Sequence, residues 1–289
     1  MVRSLKDDSL VAVGKVNHDK RLYSFSHFVP KSPSHALLTQ SHSQTKLRHE
    51  WYGHLAFNYL QQLFSKNMVK GLPTINFSKG ECSTCSVDIH LDEKLHKGNS
   101  SRALVVLQLV CMVLAGPFVV TSVSQGRYIL TFIDDFSRHT WVYFLHHKNE
   151  VVDKLQAFKI HVEQKSRKAI KVLQMENENR YVDRRLRDFC KLEGIDLYNP
   201  PVFSPHKTDV ATLRIQTLKF MASCMIQAKS LDPSLEVEAI SSATHMLNRS
   251  PHNALDGKTP VEAWCEKKLI VKHFRVFGCP TWENISSRG

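Results

Sequence analysis

Several things are missing from the 289 residues, and each absence narrows the reading. No apolar core of a signal peptide opens the chain: Met1 to Val11 mixes Arg3, Lys6, Asp7 and Asp8 with isolated apolar residues, so secretion is not expected. Cysteine is sparse and odd in number: of seven, only Cys82 and Cys85 stand close together. A disulfide framework is therefore not expected, and a reducing, intracellular compartment is. No dense basic tract appears, although 39 Lys and Arg against 27 Asp and Glu leave a formal charge of +12. That balance points towards polyanions, of which nucleic acid is the commonest. The one long uncharged run, from Ala103 to Val123, imitates a membrane span. Gly116-Pro117 interrupts it, and its many valines favour a buried strand followed by a turn, so no membrane partner is expected.

What is present suits a globular chain, with 42% hydrophobic residues, long enough for one large domain or two smaller ones. The first 45 residues are polar and show no sustained period, although Leu22-Tyr23-Ser24-Phe25 leaves a small strand open. Apolar spacing from Leu55 to Val69 predicts a short helix closed by Gly71. Residues 90–102 read as a solvated linker. Strands are predicted at Leu104 to Val113, Arg127 to Ile133 and Thr140 to Leu145, paired antiparallel through short turns. A helix at 149–164, a strand at Ala169 to Leu173, a helix through Leu186 and Cys190, a strand at Ile195 to Tyr198 and mostly helix from Val210 to Asn248 complete a mixed sheet covered by helices. The expected divisions are 1–97 for a small helical module with a loosely structured N-terminus, 98–266 for the sheet-bearing core, and 267–289 for a C-terminal extension.

The clearest chemistry lies in the first third. His49 and His54 have four residues between them, Cys82 and Cys85 two, and 27 residues separate the pairs. Zinc prefers tetrahedral nitrogen and sulfur donors, and each short spacing lets one turn present two of them to one ion. Four protein ligands leave no open position, so the expected ion is structural Zn²⁺. The chain holds 16 histidines, and His18, His27, His35, His42, His90 and His96 read as bystanders.

Longer motifs then carry a resemblance. His49, His54, Cys82 and Cys85, with Lys70-Gly71-Leu72-Pro73 between the pairs, resemble the pre-integrase zinc module of copia-type retrotransposon Pol polyproteins. Ile133-Asp134-Asp135-Phe136-Ser137-Arg138, Thr140-Trp141-Val142-Tyr143-Phe144-Leu145, Leu247-Asn248-Arg249-Ser250-Pro251 and Phe274-Arg275-Val276-Phe277-Gly278-Cys279 resemble the integrase core that follows it. The resemblance covers roughly residues 20–280. It implies an α/β, ribonuclease H-like core with a mixed five-stranded sheet and flanking helices. It further implies DNA as partner, self-assembly into oligomers, a nuclear location and no small-molecule substrate. Its relatives join DNA strands with Mg²⁺ or Mn²⁺ held by two Asp and one Glu.

At those three positions this chain carries Val113, Glu176 and Thr212. Valine cannot bind a metal ion, and threonine offers a neutral hydroxyl. Thirty-five residues still separate Glu176 from Thr212, so the register is kept while the ligands have changed. Divalent metal should bind poorly, and the expectation is an integrase-like, DNA-binding protein without strand-transfer activity. Lys207, Arg214 and Lys219 are candidate phosphate contacts. Two other outcomes stay open: an active nuclease or strand transferase with remodelled ligands, and a translated relic without function. Asp134 and Asp135 would serve the first, but neighbouring strand residues point to opposite faces, so at most one could reach the site.

Overall fold

In the computed structural model the described residues are 2–3, 10–17 and 22–28 as backbone, and 44–72, 82–85, 102–117, 126–175, 184–198 and 210–280 in full. The predicted linker at 90–101, Glu176 and Lys207 lie outside them. So do the side chains of the six bystander histidines.

The N-terminal stretch forms an antiparallel sheet of β1 (Val2–Arg3), β2 (Leu10–Asn17) and β3 (Leu22–Phe28), with a register shift at Val13/Gly14. Two short helices follow, α1 (Gln44–Trp51) and α2 (Phe57–Ser65). The core sheet is built from β4 (Leu109–Ala115), β5 (Tyr128–Asp134), β6 (Thr140–Leu145), β7 (Val172–Met175) and β8 (Asp196–Tyr198). Its order is β6-β5-β4-β7-β8. The first three strands pair antiparallel, whereas β7 and β8 run parallel to β4. This is the ribonuclease H-like arrangement that the resemblance implies.

β4 is central and buried on both faces, which accounts for its near-continuous apolar run. Val110 and Met112 face α3 (Val151–Ser166) and α4 (Arg184–Leu192), where Phe132 stacks on Phe158 at 4.1 Å. Cys111 and Val113 face the opposite side, against α5 (Val210–Ala228). The period of two thus divides one apolar run between two cores. Among the described residues no helix is long and apolar enough to cross a membrane.

Two of the differences from the sequence reading have identifiable reasons. β4 begins at Leu109 rather than Leu104, and Leu104 is 78% exposed. The preceding turn is held by distant side chains: Asp135 Oδ2 accepts from Ala103 N at 2.8 Å, Asp134 Oδ1 from Leu107 N at 2.7 Å. Amides captured by carboxylates are not offered to a neighbouring strand. The helix predicted over 210–248 is two helices, α5 and α6 (Glu236–Leu247). α5 stops at Ala228, Ser230 turns the chain with φ of 49°, and Asp232 then accepts from Ser234 N while Pro233 starts a short 3₁₀ turn, a first position that needs no amide. A short α7 (Pro260–Cys265), capped by the Thr259 hydroxyl, was not foreseen, nor was α1.

The head does not stand apart from the sheet-bearing core. Tyr52, Leu55, Leu60, Leu63, Met68 and Val69 share one buried apolar cluster with residues of α5 and α6 and with Val271 and Phe274. Lys229 at the end of α5 bonds Glu50 of α1 at 2.9 Å. Lys70 and Ile270 form a parallel bridge, through Lys70 N to Leu269 O at 2.9 Å and Val271 N to Lys70 O at 2.9 Å.

Candidate metal centre and candidate catalytic positions

His49 ends α1, and the chain must reverse sharply to return His54 to it. Gly53 and His54 make that reversal with φ of 61° and 65°, and His54 N donates to His49 O at 2.9 Å. Glycine is required at 53 on two counts: its φ is left-handed, and a Cβ there would lie 2.6 Å from the Met246 sulfur. The Cys pair is a single turn, closed by Cys85 N to Cys82 O at 3.1 Å. One donor atom from each of His49, His54, Cys82 and Cys85 falls within 4.8 Å of the others, and three of the four residues are buried.

The separations suit a tetrahedral ion. Bonds of zinc to nitrogen and sulfur imply edges of about 3.3 Å between nitrogens and about 3.5 Å between nitrogen and sulfur. His49 Nε2 and His54 Nδ1 are 3.1 Å apart. Cys85 Sγ lies 3.3 Å from His49 Nε2 and 3.5 Å from His54 Nδ1, and Cys82 Sγ lies 3.5 Å from His54 Nδ1. The orientation is fixed from behind, since His49 Nδ1 donates to Leu55 O at 2.8 Å and its ring stacks on Phe57 at 4.4 Å. With its proton on Nδ1, His49 presents the Nε2 lone pair to an ion. These residues fit a structural metal. Sequence spacing could not have identified Leu55 and Phe57 as its support, because their contribution is a carbonyl and a ring face.

Without an ion the donors are uncomfortable. Burial, and then the adjacent His49, hold the His54 imidazole down at about 4. The Cys85 thiol is pushed up by the Cys224 thiol from α5 and by burial, and burial pushes Cys82 up as well. Burial thus already keeps His54 in the neutral form that a cation binds, and a divalent cation reverses the penalty on the thiols by favouring thiolate. A pH dependence follows. Unfolded histidine titrates near 6.5. Between that value and about 4 the unfolded chain therefore binds the extra proton, and stability falls as pH falls. The melting temperature of the metal-stripped protein is therefore expected to fall as pH drops from about 6.5 towards about 4. A melting temperature that stays level across that range would contradict this.

The three candidate catalytic positions present a different picture. Val113 is 8% exposed and lies in an apolar cluster with Cys111, Ile133, Ala211 and Ile215. Thr212, beside Ala211 in the first turn of α5, is exposed. Among the described residues the His-Cys quartet is the one group of three or more potential metal ligands. Asp134 and Asp135 are committed elsewhere. Besides the Leu107 amide, Asp134 accepts from Ser137 N at 2.8 Å and Ser137 Oγ at 2.5 Å, while burial pushes its carboxyl up. Asp135 accepts from Ala103 N and pairs with Arg138 at 2.8 Å. Both carboxylates clamp the β5–β6 turn onto the lead into β4. Asp135→Ala leaves a buried amide and a buried guanidinium short of an acceptor, and a loss of about 2 kcal/mol in urea unfolding is expected.

Of the candidate phosphate contacts, Arg214 is 4% exposed and sits near His252, whose imidazole is lowered by burial and then by that guanidinium. Lys219 is half-buried on α5.

The GAG-pre-integrase domain family matches residues 21–88. The retrovirus-related Pol polyprotein from transposon TNT 1-94 of Nicotiana tabacum is 30% identical over 250 residues, which is 85% of this chain and 18% of that protein. The corresponding polyprotein from transposon RE2 of Arabidopsis thaliana is 26% identical over 238 residues, 80% of this chain and 16% of that protein. The chain thus spans less than a fifth of the length of these relatives. Among solved structures, the catalytic core domain of BIV integrase aligns with 55% of this chain and 94% of its own, at 18% identity and a TM-score of 0.40.

Proposed function

From the premise that this chain is a homologue of copia-type retrotransposon Pol polyproteins, we propose that it is a zinc-bearing, DNA-binding integrase region that no longer transfers DNA strands. The observation that carries the reading is the apolar surrounding of Val113. A two-ion site must clamp the attacking and the leaving oxygen with carboxylates, and here Val113 joins a hydrophobic cluster while Thr212 offers a hydroxyl. These residues do not fit Mg²⁺ or Mn²⁺, whereas the head quartet fits zinc. DNA, bound through the basic surface without marked sequence preference, is the partner, and copies of the chain assemble with one another. The protein works in the nucleus, with no membrane and no small-molecule substrate.

The test is an incubation of the protein with labelled element-end DNA and Mn²⁺. Salt-sensitive retardation without cleavage or joined product is expected. A product abolished by Glu176→Gln would overturn the proposal, as would a failure to retain DNA at low salt.

A further inference from the structure

Three stretches far apart in sequence meet beside the head and bring cations together. Arg48, on α1, is 9% exposed, and its guanidinium stacks over the Trp51 ring at 3.7 Å. Among the described residues its Nε and Nη1 have no hydrogen-bond acceptor, and neither has the hydroxyl of the fully buried Tyr52. Arg249, just past α6, and Arg48 both act on that hydroxyl, and Tyr52 meets the Phe274 ring at 4.9 Å. From the C-terminal stretch, Arg275 approaches the same ring, 6.0 Å from its centre. His273 bonds His245 at 3.2 Å and is held low by burial and by Arg249 and Arg275.

A buried guanidinium normally has a carboxylate or carbonyl to receive its protons, because desolvation without a partner is costly. The buried donors of Arg48 and Tyr52 are short of acceptors, and Arg249 and Arg275, which donate to the carbonyls of His245 and Phe274, add positive charge beside them, so the place is prepared for an anion. We propose that Arg48, Tyr52, Arg249 and Arg275 form an anion-binding notch that takes a phosphate of a nucleic-acid backbone. The assignment rests on the DNA-binding reading above, and it gives that reading a location. Exposed Arg275 and His273 stand at the mouth, so the notch opens towards solvent, as a contact to a long polyanion requires. The positive balance of the whole chain favours the same ligand. The notch is distinct from the metal quartet, although Arg48 and His49 are neighbours on α1.

The experiment compares the full chain with Arg275→Gln, at the exposed mouth, and Arg48→Gln, in the buried part. Binding of a fluorescent DNA duplex is measured by anisotropy across a salt series, with zinc content as the control for folding. Each variant is expected to keep one zinc and lose about 3- to 10-fold in affinity. Its plot of log affinity against log salt should become shallower by about one unit, as for a lost phosphate contact. Inorganic sulfate should raise the melting temperature of the wild type more than that of Arg48→Gln. Wild-type affinity and salt slope in both variants, with DNA bound by the parent, would overturn the notch alone, even if sulfate stabilises the protein. Absence of DNA binding by the parent would overturn the function proposal and the notch with it. Should Arg48→Gln lose zinc, Arg275→Gln decides by itself.

Discussion

Chelation of the head's metal, or Cys82→Ser, is expected to melt far more than the two short helices around the site. Structural zinc in finger-type peptides contributes about 10–16 kcal/mol of binding free energy, comparable with the whole folding stability of an ordinary domain. In this chain the quartet fixes α1, the reversal at Gly53-His54 and the Cys82–Cys85 turn. Those elements place Tyr52, Leu55 and Leu60 in the cluster they share with α5 and α6. Losing the ion should therefore expose apolar surface on the sheet-bearing core as well. A drop in melting temperature of roughly 10 °C or more is expected, corresponding to about 3–5 kcal/mol at 2–4 °C per kcal/mol in a chain this size. Native mass spectrometry should find one zinc per chain in the parent and none in Cys82→Ser. A variant that keeps its zinc, or melts with the parent, would remove the metal centre from this account.

Restoring acids at the two altered positions should have the second largest effect, and it separates lost chemistry from a lost fold. In Val113→Asp with Thr212→Glu, a carboxylate enters the cluster of Cys111, Ile133, Ala211 and Ile215. Without metal this should cost about 3 kcal/mol, since a buried charge lacks a partner and a packed methyl pair is gone. If Glu176 completes the site, Mn²⁺ should return part of that loss. An ion at 100 times its dissociation constant stabilises by about 2.7 kcal/mol. Thermal unfolding with and without Mn²⁺ reads the effect directly, and strand-transfer product should appear in the variant and not in the parent. Equal destabilisation with and without Mn²⁺ would mean that the positions no longer converge.

The sequence alone determined whatever depends on near neighbours. The cluster of His49, His54, Cys82 and Cys85, which could hold a metal ion, was legible because each pair is local and closes within one turn. β6 was legible to the residue, and the antiparallel β4–β5–β6 order followed from alternation and short connections. Long motifs brought out the resemblance and the altered catalytic positions. Where the outcome depended on groups far along the chain, local pattern misled. β4 starts at Leu109 because carboxylates some thirty residues away take the amides of Ala103 and Leu107. Adjacent Asp134 and Asp135 invited a catalytic reading until their hydrogen bonds showed a turn clamp. Arg214, whose charge suggested a surface position, is 4% exposed on the inner face of α5. Tertiary structure alone decided that the head and the sheet share one core and that Arg48 and Arg275 come to the same Trp51 ring. Hydrophobic burial is non-directional, so apolar spacing specifies which face is covered without specifying by what. Only the folded chain fixes the partner.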